Sequence, residues 1–337
     1  MADDVVTLPA PSPGPVTAPG AGRHKRVLHA QPSRVDRIFD RMTLASGLTV
    51  LVILTVVGVF LLYQGRHAYS QMGWSFFTNQ IWHTGTAHPK YGVLGLLFGT
   101  VVVALIAVII AVPLGVTVGL FIAEFAPIAT RKLLQGMVDL LAAVPSILFG
   151  LWGFLFLSSQ IVPLSRWMTT HLGWFPLFAT DQDAQLTNSF FIAGIVVSLM
   201  VIPIVASISR AVFAQAPPGE KEAALALGST RWGMIRSVVL PFGRGGMIGG
   251  SMLGLGRALG ETIAVALLLP QVPWISSHIL QNGGSTIAGF IATRAGNAVT
   301  VSGLMAAGLV LFILTLGTNL VASFIVSRSR SGAGVDL

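Results

Sequence analysis

Residues 91–123 read YGVLGLLFGTVVVALIAVIIAVPLGVTVGLFIA, and none of these 33 positions carries Asp, Glu, Lys or Arg. As a straight helix rising 1.5 Å per residue, the stretch would be about 50 Å long. The hydrocarbon core of a bilayer is about 30 Å thick, and about 20 apolar residues cross it. The stretch therefore predicts a membrane-spanning helix that is either tilted or broken near Pro113.

Five further apolar stretches extend this prediction to the whole chain. They cover residues 42–63, 133–157, 189–213, 245–269 and 301–326. Proline inside such helices is tolerated, because neighbouring helices and local adjustments satisfy the backbone groups that it frees. The sequence thus predicts an all-α integral membrane protein with six transmembrane helices.

The composition excludes other classes of protein. Of the 337 residues, 53% are hydrophobic and only 9% are charged, whereas about 25% are charged in an ordinary soluble domain. A soluble enzyme, a secreted domain and a disordered protein are therefore excluded. Cysteine is absent, so the chain has no disulfide framework, thiol nucleophile or thiolate metal site.

The positions of the basic residues predict the orientation in the membrane. Of the 20 Lys and Arg residues, 15 lie in the two tails and in the loops after the second and fourth spans, and four lie in the other loops. By the positive-inside rule, both termini lie in the cytoplasm. We attribute the net charge of +8 to this topology, and we expect no nucleic-acid partner. The remaining basic residue, Arg257, lies within the fifth span.

The chain divides into four segments by composition. Residues 1–41 are rich in proline and basic residues, which predicts a disordered cytoplasmic tail. Residues 42–90 hold the first transmembrane helix and its outer loop. Residues 91–327 hold the remaining five spans, and residues 328–337 form a second cytoplasmic tail.

The loop after the fourth span has the pattern of a short helical hairpin. Residues 217–228 read PPGEKEAALALG, in which two prolines and then Glu220 and Glu222 favour a helix start. Gly228 is suited to end that helix. Ser229 or Thr230 could cap a second helix over residues 231–239, which we expect Pro241 to stop. Such a hairpin could dock in a groove of another protein or simply join two spans along the interface.

Two charges fall deep within the fifth span. If this helix enters the membrane near Gly245, Arg257 and Glu261 lie about 18 and 24 Å along it. A charge at such a depth costs about 2.5–3.5 kcal/mol, and residues four apart share one helical face. This face could line a polar pathway in which Arg257 binds an oxyanion through two parallel hydrogen bonds. Glu261 would then hold Arg257 in place or accept a hydrogen bond from a protonated oxyanion. The alternative is a purely structural ion pair.

The fifth span also predicts unusually close helix packing. Glycines recur in it at the small-xxx-small spacing that lets two helix backbones approach each other. These residues are Gly246, Gly250 and Gly254.

Motifs for chemistry on this chain itself are missing. No G-x-x-x-x-G-K-[ST] occurs, so we expect no ATP hydrolysis by this chain, and no catalytic constellation stands out. His83 and His88 lie five apart without nearby carboxylates, and we expect no metal site. We therefore expect neither enzymatic activity nor a cofactor bound by this chain.

One motif in the loop after the fourth span resembles a known family. Glu222-Ala223-Ala224, followed by Gly228 and then Val238-x-Leu240-Pro241, is similar to the EAA loop of permease subunits in ATP-binding-cassette (ABC) importers. That family usually has Ile where Val238 stands. The resemblance implies that this loop is a coupling helix that docks on a separate ATPase. The implied coupling residues are Glu222, Ala223, Ala224, Gly228, Leu240 and Pro241.

Two further segments resemble the permeases of phosphate-specific ABC importers, the PstC type in particular. They are residues 254–262, GLGRALGET, and residues 144–153, VPSILFGLWG. The similarity covers roughly residues 40–327 and implies a type I ABC importer permease fold, with residues 91–327 as the permease domain. It also implies that Arg257 and Glu261 take part in phosphate passage.

The resemblance carries expectations about partners and localisation. A second permease subunit of PstA type would complete the pathway, ATP-binding subunits of PstB type would hold ATP–Mg, and an extracytoplasmic phosphate-binding protein of PstS type would deliver the solute. The chain would sit among lipids in a bacterial inner membrane. Two alternatives stay open: a permease for sulfate or molybdate, and an ion-coupled transporter in which Glu261 carries protons.

Overall fold

The computed structural model describes residues 34–83, 90–181, 183–296 and 301–329. Within these ranges every extended regular element is helical. The chain divides into two compact units, Met1–Ile53 and Leu54–Leu337. The described part of the first unit is purely helical, and the second unit contains the packed helices discussed below.

The described elements comprise fourteen α-helices and three π-helical turns. The α-helices are α1 (Arg34–Met72), α2 (Ser75–Thr78), α3 (Leu94–Leu120), α4 (Ile128–Ala143), α5 (Ser146–Trp152), α6 (Ser158–Gln160), α7 (Val162–Leu172), α8 (Phe190–Phe213), α9 (Pro218–Ala226), α10 (Arg231–Met234), α11 (Leu240–Leu259), α12 (Ile263–Leu268), α13 (Ile287–Arg294) and α14 (Val301–Ser329). The π turns are Phe121–Phe125, Gly153–Leu157 and Ile235–Val239.

The six predicted spans are confirmed. Among the described residues, five helical segments are long and apolar enough to cross a membrane, and a bent helix pair makes a sixth where it is counted as one broken span. The span predicted to tilt or break near Pro113 is continuous there, since α3 runs from Leu94 to Leu120. The change of geometry comes later, in the π turn Phe121–Phe125.

The first helix is longer than its apolar stretch. It begins at Arg34, within the segment predicted to be a tail, and has Asp36 in its first turn, where an acidic residue favours the helix dipole. The rest of the predicted N-terminal tail, His88 of the first outer loop and residues 330–337 of the C-terminal tail lie outside the described residues.

The predicted third span is not a single helix. The helical segments Ile128–Ala143 and Ser146–Gln160 meet at an angle of 84°. Val144, between them, is extended, with φ −62° and ψ 128°, as expected for a residue before proline. Pro145 therefore bends the chain sharply in the middle of the apolar stretch.

The predicted fifth span also differs from a single helix over residues 245–269. Helix α11 ends at Leu259, residues 260–262 are non-helical, and α12 begins at Ile263. Glycine weakens the helix here, because it has the highest entropic cost of ordering. The Thr262 hydroxyl donates a hydrogen bond to the Gly260 carbonyl at 3.0 Å, so the break satisfies one of the carbonyls that the helix end leaves unpaired.

At its other end the same span starts earlier than predicted. Residues Arg231–Leu259 form one helical run, so the expectation that Pro241 stops the second helix of the hairpin is wrong. Proline lacks an N–H and crowds the preceding turn of a regular α-helix. The π turn Ile235–Val239 lies directly before Pro241, and this wider turn lets the helix continue through the proline.

Close packing of α8 against α11 confirms the prediction from the glycine spacing. A Cβ at Gly246 would overlap Val212, one at Gly250 would lie 3.1 Å from Ile208, and one at Gly254 would lie 2.6 Å from Val201. Real Cβ atoms do not come as close as 2.6 Å to another heavy atom. The observed distance between α8 and α11 therefore requires glycine. Helices α3, α8 and α11 thereby form the main core.

Candidate functional site

The two interrupted spans pack against each other. A Cβ at Gly150 of α5 would lie 2.6 Å from the Cα of Ala264 in α12, and one at Gly153 would lie 3.2 Å from Leu268 in the same helix. The segment 144–153 thus lies against the helix that directly follows the break at residues 260–262. Discontinuous helices that meet within a membrane are typical of substrate sites in transporters.

Glu261 lies within the break between α11 and α12. Its backbone N–H donates to the Ala258 carbonyl at 3.4 Å, and the residue is 8% exposed. Among the described residues, none donates a hydrogen bond to its carboxylate. A buried carboxylate is costly without compensation, so this position is suited to contact with a solute or with water.

Arg257 lies in the last turn of α11, on the side away from the core. In this chain alone it is exposed, as is Leu253 one turn earlier, at 58%. Gly254 and Ala258 form the opposite, buried side of the helix. An arginine facing hydrocarbon would cost about 2.5–3.5 kcal/mol. We therefore expect the surface around Arg257 to face a second protein or a polar pathway.

Arg257 and Glu261 do not form the ion pair that the sequence left open as an alternative. The expectation that they share one continuous helical face is wrong, because α11 ends between them. No ion pair within 4.0 Å joins them in the described structure. Their separation argues against a structural ion pair within this chain, and it leaves one exposed cation beside one buried acid.

The helix predicted to start at the two prolines of the loop after the fourth span is present as α9. It begins at Pro218 after Pro217 and carries Glu220 in its first turn, as the sequence predicts. Glu222 and Ala223 are exposed, and Leu227 is 88% exposed. This surface has the exposed apolar and acidic groups that a docking helix needs.

Gly228 ends this helix in a left-handed conformation, with φ +86°. Its N–H donates to the Leu225 carbonyl at 2.9 Å, and the Ser229 N–H donates to the Ala224 carbonyl at 3.2 Å. These bonds satisfy carbonyls at the helix end. Of the two predicted caps for the next helix, Thr230 is the one used, because its hydroxyl accepts from the Gly233 N–H at 3.1 Å.

The end of the coupling motif lies at the start of α11. Leu240 packs against the cluster that contains the fully buried Ile235 and Val239, whereas Pro241 is exposed. Trp232, one turn before Ile235, is 58% exposed. The helical run that begins at Arg231, just after Gly228, thus includes Leu240 and Pro241 and continues to Arg257.

One functional candidate escaped the sequence analysis. Lys221 of α9 donates to the carboxylate of Glu124 at 2.5 Å, and their side chains are 19% and 11% exposed. Glu124 lies in the π turn after α3, so this ion pair joins α9 to the second span. The sequence feature that could have indicated this ion pair is the position of Glu124, directly after the charge-free stretch 91–123.

Charge reversal tests whether this ion pair has a role. We expect Glu124→Lys to lower the free energy of unfolding of the purified complex by about 1.5–3 kcal/mol, as for loss of a charged hydrogen bond. We expect the double variant Glu124→Lys/Lys221→Glu to recover most of the loss. Chemical denaturation with both single variants measures the coupling energy. Strict additivity of the two single effects would contradict a direct interaction.

Comparisons with known proteins agree with this geometry. The family described as "Binding-protein-dependent transport system inner membrane component" matches residues 115–331. A phosphate transport system permease protein, PstC 2 of Mycobacterium tuberculosis, is 38% identical over 304 residues, which cover 89% of this chain and 94% of the relative. PstC of Mycobacterium leprae is 38% identical over 308 residues, or 90% and 95% of the two chains. PstC of Xylella fastidiosa is 37% identical over 300 residues, or 88% and 92%.

Solved structures show the same fold at low sequence identity. A bacterial ABC transporter for alginate import matches with a TM-score of 0.57 and 16% identity, over 87% of this chain and 96% of that one. The inward-facing MetNI methionine transporter matches with a TM-score of 0.50 and 15% identity, over 69% and 93%. From the family match and the relatives, this chain belongs to the binding-protein-dependent transport system inner membrane components, the permease family of ABC importers.

Proposed function

We propose that this chain is a transmembrane permease subunit of an ATP-driven importer of inorganic phosphate. It forms half of the translocation pathway, and a separate ATPase supplies the energy. The observation that carries the proposal is the similarity, over about 90% of the chain, to relatives that bear the name of phosphate permeases. The exposed arginine at a break in a spanning helix gives that similarity a chemical basis.

Arg257 and Glu261 would act on the solute in different ways. The guanidinium of Arg257 can donate two parallel hydrogen bonds to a tetrahedral oxyanion and offset its charge. Glu261, buried beside the break, can accept a hydrogen bond from the protonated oxygen of hydrogen phosphate. Neither role makes or breaks a covalent bond, so the proposed function is transport and not catalysis.

The exposed surface around Arg257 requires a second wall. We assign this wall to a second permease subunit of PstA type, because ABC importer permeases work in pairs and a lipid-facing arginine is unfavourable. An extracytoplasmic binding protein of PstS type would deliver phosphate to the outer loops. The complex would sit in the bacterial cytoplasmic membrane, with this chain in contact with lipid on its remaining faces.

The coupling residues would transmit the state of the ATPase to the pathway. ATP–Mg would be held by partner subunits of PstB type, which dock on the surface around Glu222, Ala223, Ala224 and Gly228. In the same helix, Lys221 contacts Glu124, which lies in the π turn that follows α3. The helical run Arg231–Leu259 reaches Arg257, about 40 Å away along the axis. Movement of the docked loop would therefore displace the arginine directly, switching access between the two sides.

Uptake of labelled phosphate tests the proposed solute. We expect cells that lack the chain to lose high-affinity accumulation and cells with the restored chain to recover it, because the pathway needs both permeases. An excess of sulfate or molybdate should leave uptake unchanged, whereas unlabelled phosphate should suppress it. Competition by sulfate or molybdate would favour a permease for another oxyanion. Uptake that survives ATP depletion and collapses with the proton gradient would favour an ion-coupled transporter.

A further inference from the structure

A basic groove lies between α11 and α14, away from the proposed pathway residues. It encloses about 850 Å³, and its lining includes Arg236, Arg244 and Arg328. Two of these arginines come from the helical run that leaves the coupling loop, and the third comes from the end of α14. The distribution of basic residues places this end of both helices on the cytoplasmic side.

The groove concentrates positive charge. No described carboxylate lies within 4.0 Å of Arg236 or Arg244. The guanidinium of Arg328 lies 4.3 Å from the centre of the Phe324 ring, a contact that orients this charge. Cations that share one groove repel each other, so binding of an anion there would be favourable. The planar fork of arginine suits the oxygens of a phosphate group.

The inner part of the groove is apolar on both helices. Met247 and Ile248 follow the arginines along α11, and Phe324 and Ile325 precede Arg328 along α14. From Arg236 to Ile248 the helix advances about 18 Å. Both walls therefore change from charged to apolar in the same direction, from the membrane surface inward. A ligand with an anionic head and a hydrocarbon chain matches this gradient.

We propose that this groove binds an anionic phospholipid of the cytoplasmic leaflet. Its phosphate would contact Arg236, Arg244 and Arg328, and one acyl chain would lie along Met247 and Phe324. Free inorganic phosphate shares the headgroup chemistry but makes no use of the apolar half. The lipid would brace α11 near the point where the coupling loop enters it. The proposal does not depend on which solute the transporter carries.

Lipid binding to the intact transporter tests the assignment. The complex of this chain with its co-expressed partners is purified in detergent and titrated with phosphatidylglycerol, and bound lipid is counted by native mass spectrometry. We expect the variant R236Q/R244Q/R328Q to bind phosphatidylglycerol at least tenfold more weakly. The variant R34Q/R37Q/R41Q removes the same charge from exposed positions of α1 and should bind within twofold of wild type. The variant R236K/R244K/R328K should keep most of the binding.

Several results would overturn the proposal. These are unchanged lipid binding in the glutamine variant, an equal loss in the α1 control, and displacement of the lipid by millimolar orthophosphate, which would indicate a site for the free ion. If the glutamine variant loses the ATPase subunit but binds lipid as wild type does, the groove would be assigned to a protein partner. If the triple glutamine variant does not assemble, R244Q is compared with R244K by the same measurement. Uptake assays are separate, so failure of the transport proposal would not alter this outcome.

Discussion

Arg257→Ala is expected to reduce phosphate uptake to the background of cells that lack the chain. Loss of charged hydrogen bonds to the solute removes about 1.5–3 kcal/mol or more, which corresponds to about 10- to 150-fold in affinity. The complex should still assemble and keep its basal ATPase activity, because the arginine makes no ion pair within the described chain. Initial rates of labelled phosphate uptake, measured against phosphate concentration, provide the test.

Two controls separate the charge of Arg257 from its bulk. Leu253→Ala removes a large side chain from the same exposed surface one turn earlier and should leave uptake nearly unchanged. Arg257→Lys keeps the charge but loses the fork, so uptake should fall partly. Failure of insertion would not explain a loss, since alanine removes an insertion cost of about 2.5–3.5 kcal/mol. Normal uptake kinetics in Arg257→Ala would reject the role.

Gly228→Val is expected to separate the ATPase from the permease. Gly228 has φ +86°, and a left-handed conformation costs an L-residue about 1–2 kcal/mol, most for a β-branched side chain. A Cβ there meets nothing within 4 Å, so any effect comes from the backbone and not from a clash. The turn after α9 would relax and displace the docking surface. Uptake should fall at least fivefold, while the chain remains in the membrane.

Co-purification measures this effect directly. A tagged chain with Gly228→Val should recover at most a fifth of the ATPase subunit that wild type recovers. Gly228→Asn is the matched control, because asparagine enters the left-handed region more readily than other side chains, and it should retain most of the ATPase. Equal recovery with valine and asparagine would show that this backbone conformation is not what docking requires.

Much of the fold was predictable because the bilayer constrains it strongly. Length and apolarity identify six spans, since a spanning backbone must satisfy its own hydrogen bonds. The start of α9 and its end at Gly228 could also be predicted from the sequence, because proline and glycine act on the local backbone. Close packing of Gly246 and Gly254 against a neighbouring helix followed from their spacing, whereas the identity of that helix, α8, did not.

The interruptions were harder to predict. Hydropathy does not distinguish a straight apolar helix from one bent by 84° at Pro145, because the mean hydropathy of the stretch is the same in both cases. The break after Leu259 depends on glycine, on the hydrogen bond of the Thr262 hydroxyl and on packing against α5. The sequence shows Gly260 and Thr262 but neither the bond nor the packing. The separation of Arg257 from Glu261 follows from that break. The contact of Glu124 with Lys221 joins residues 97 positions apart, and no local pattern encodes it.

The π turn Ile235–Val239 sets the angular phase between the two ends of a long helix. Each residue of an α-helix turns the chain by about 100°, and the wider turn offsets the docking end against the end that carries Arg257. The two ends of this helical run thus keep a fixed angular offset about the helix axis. If the loop docks on an ATPase as proposed, a twist applied there would turn the guanidinium of Arg257 around the helix axis, and we expect gating to include this rotation as well as a displacement.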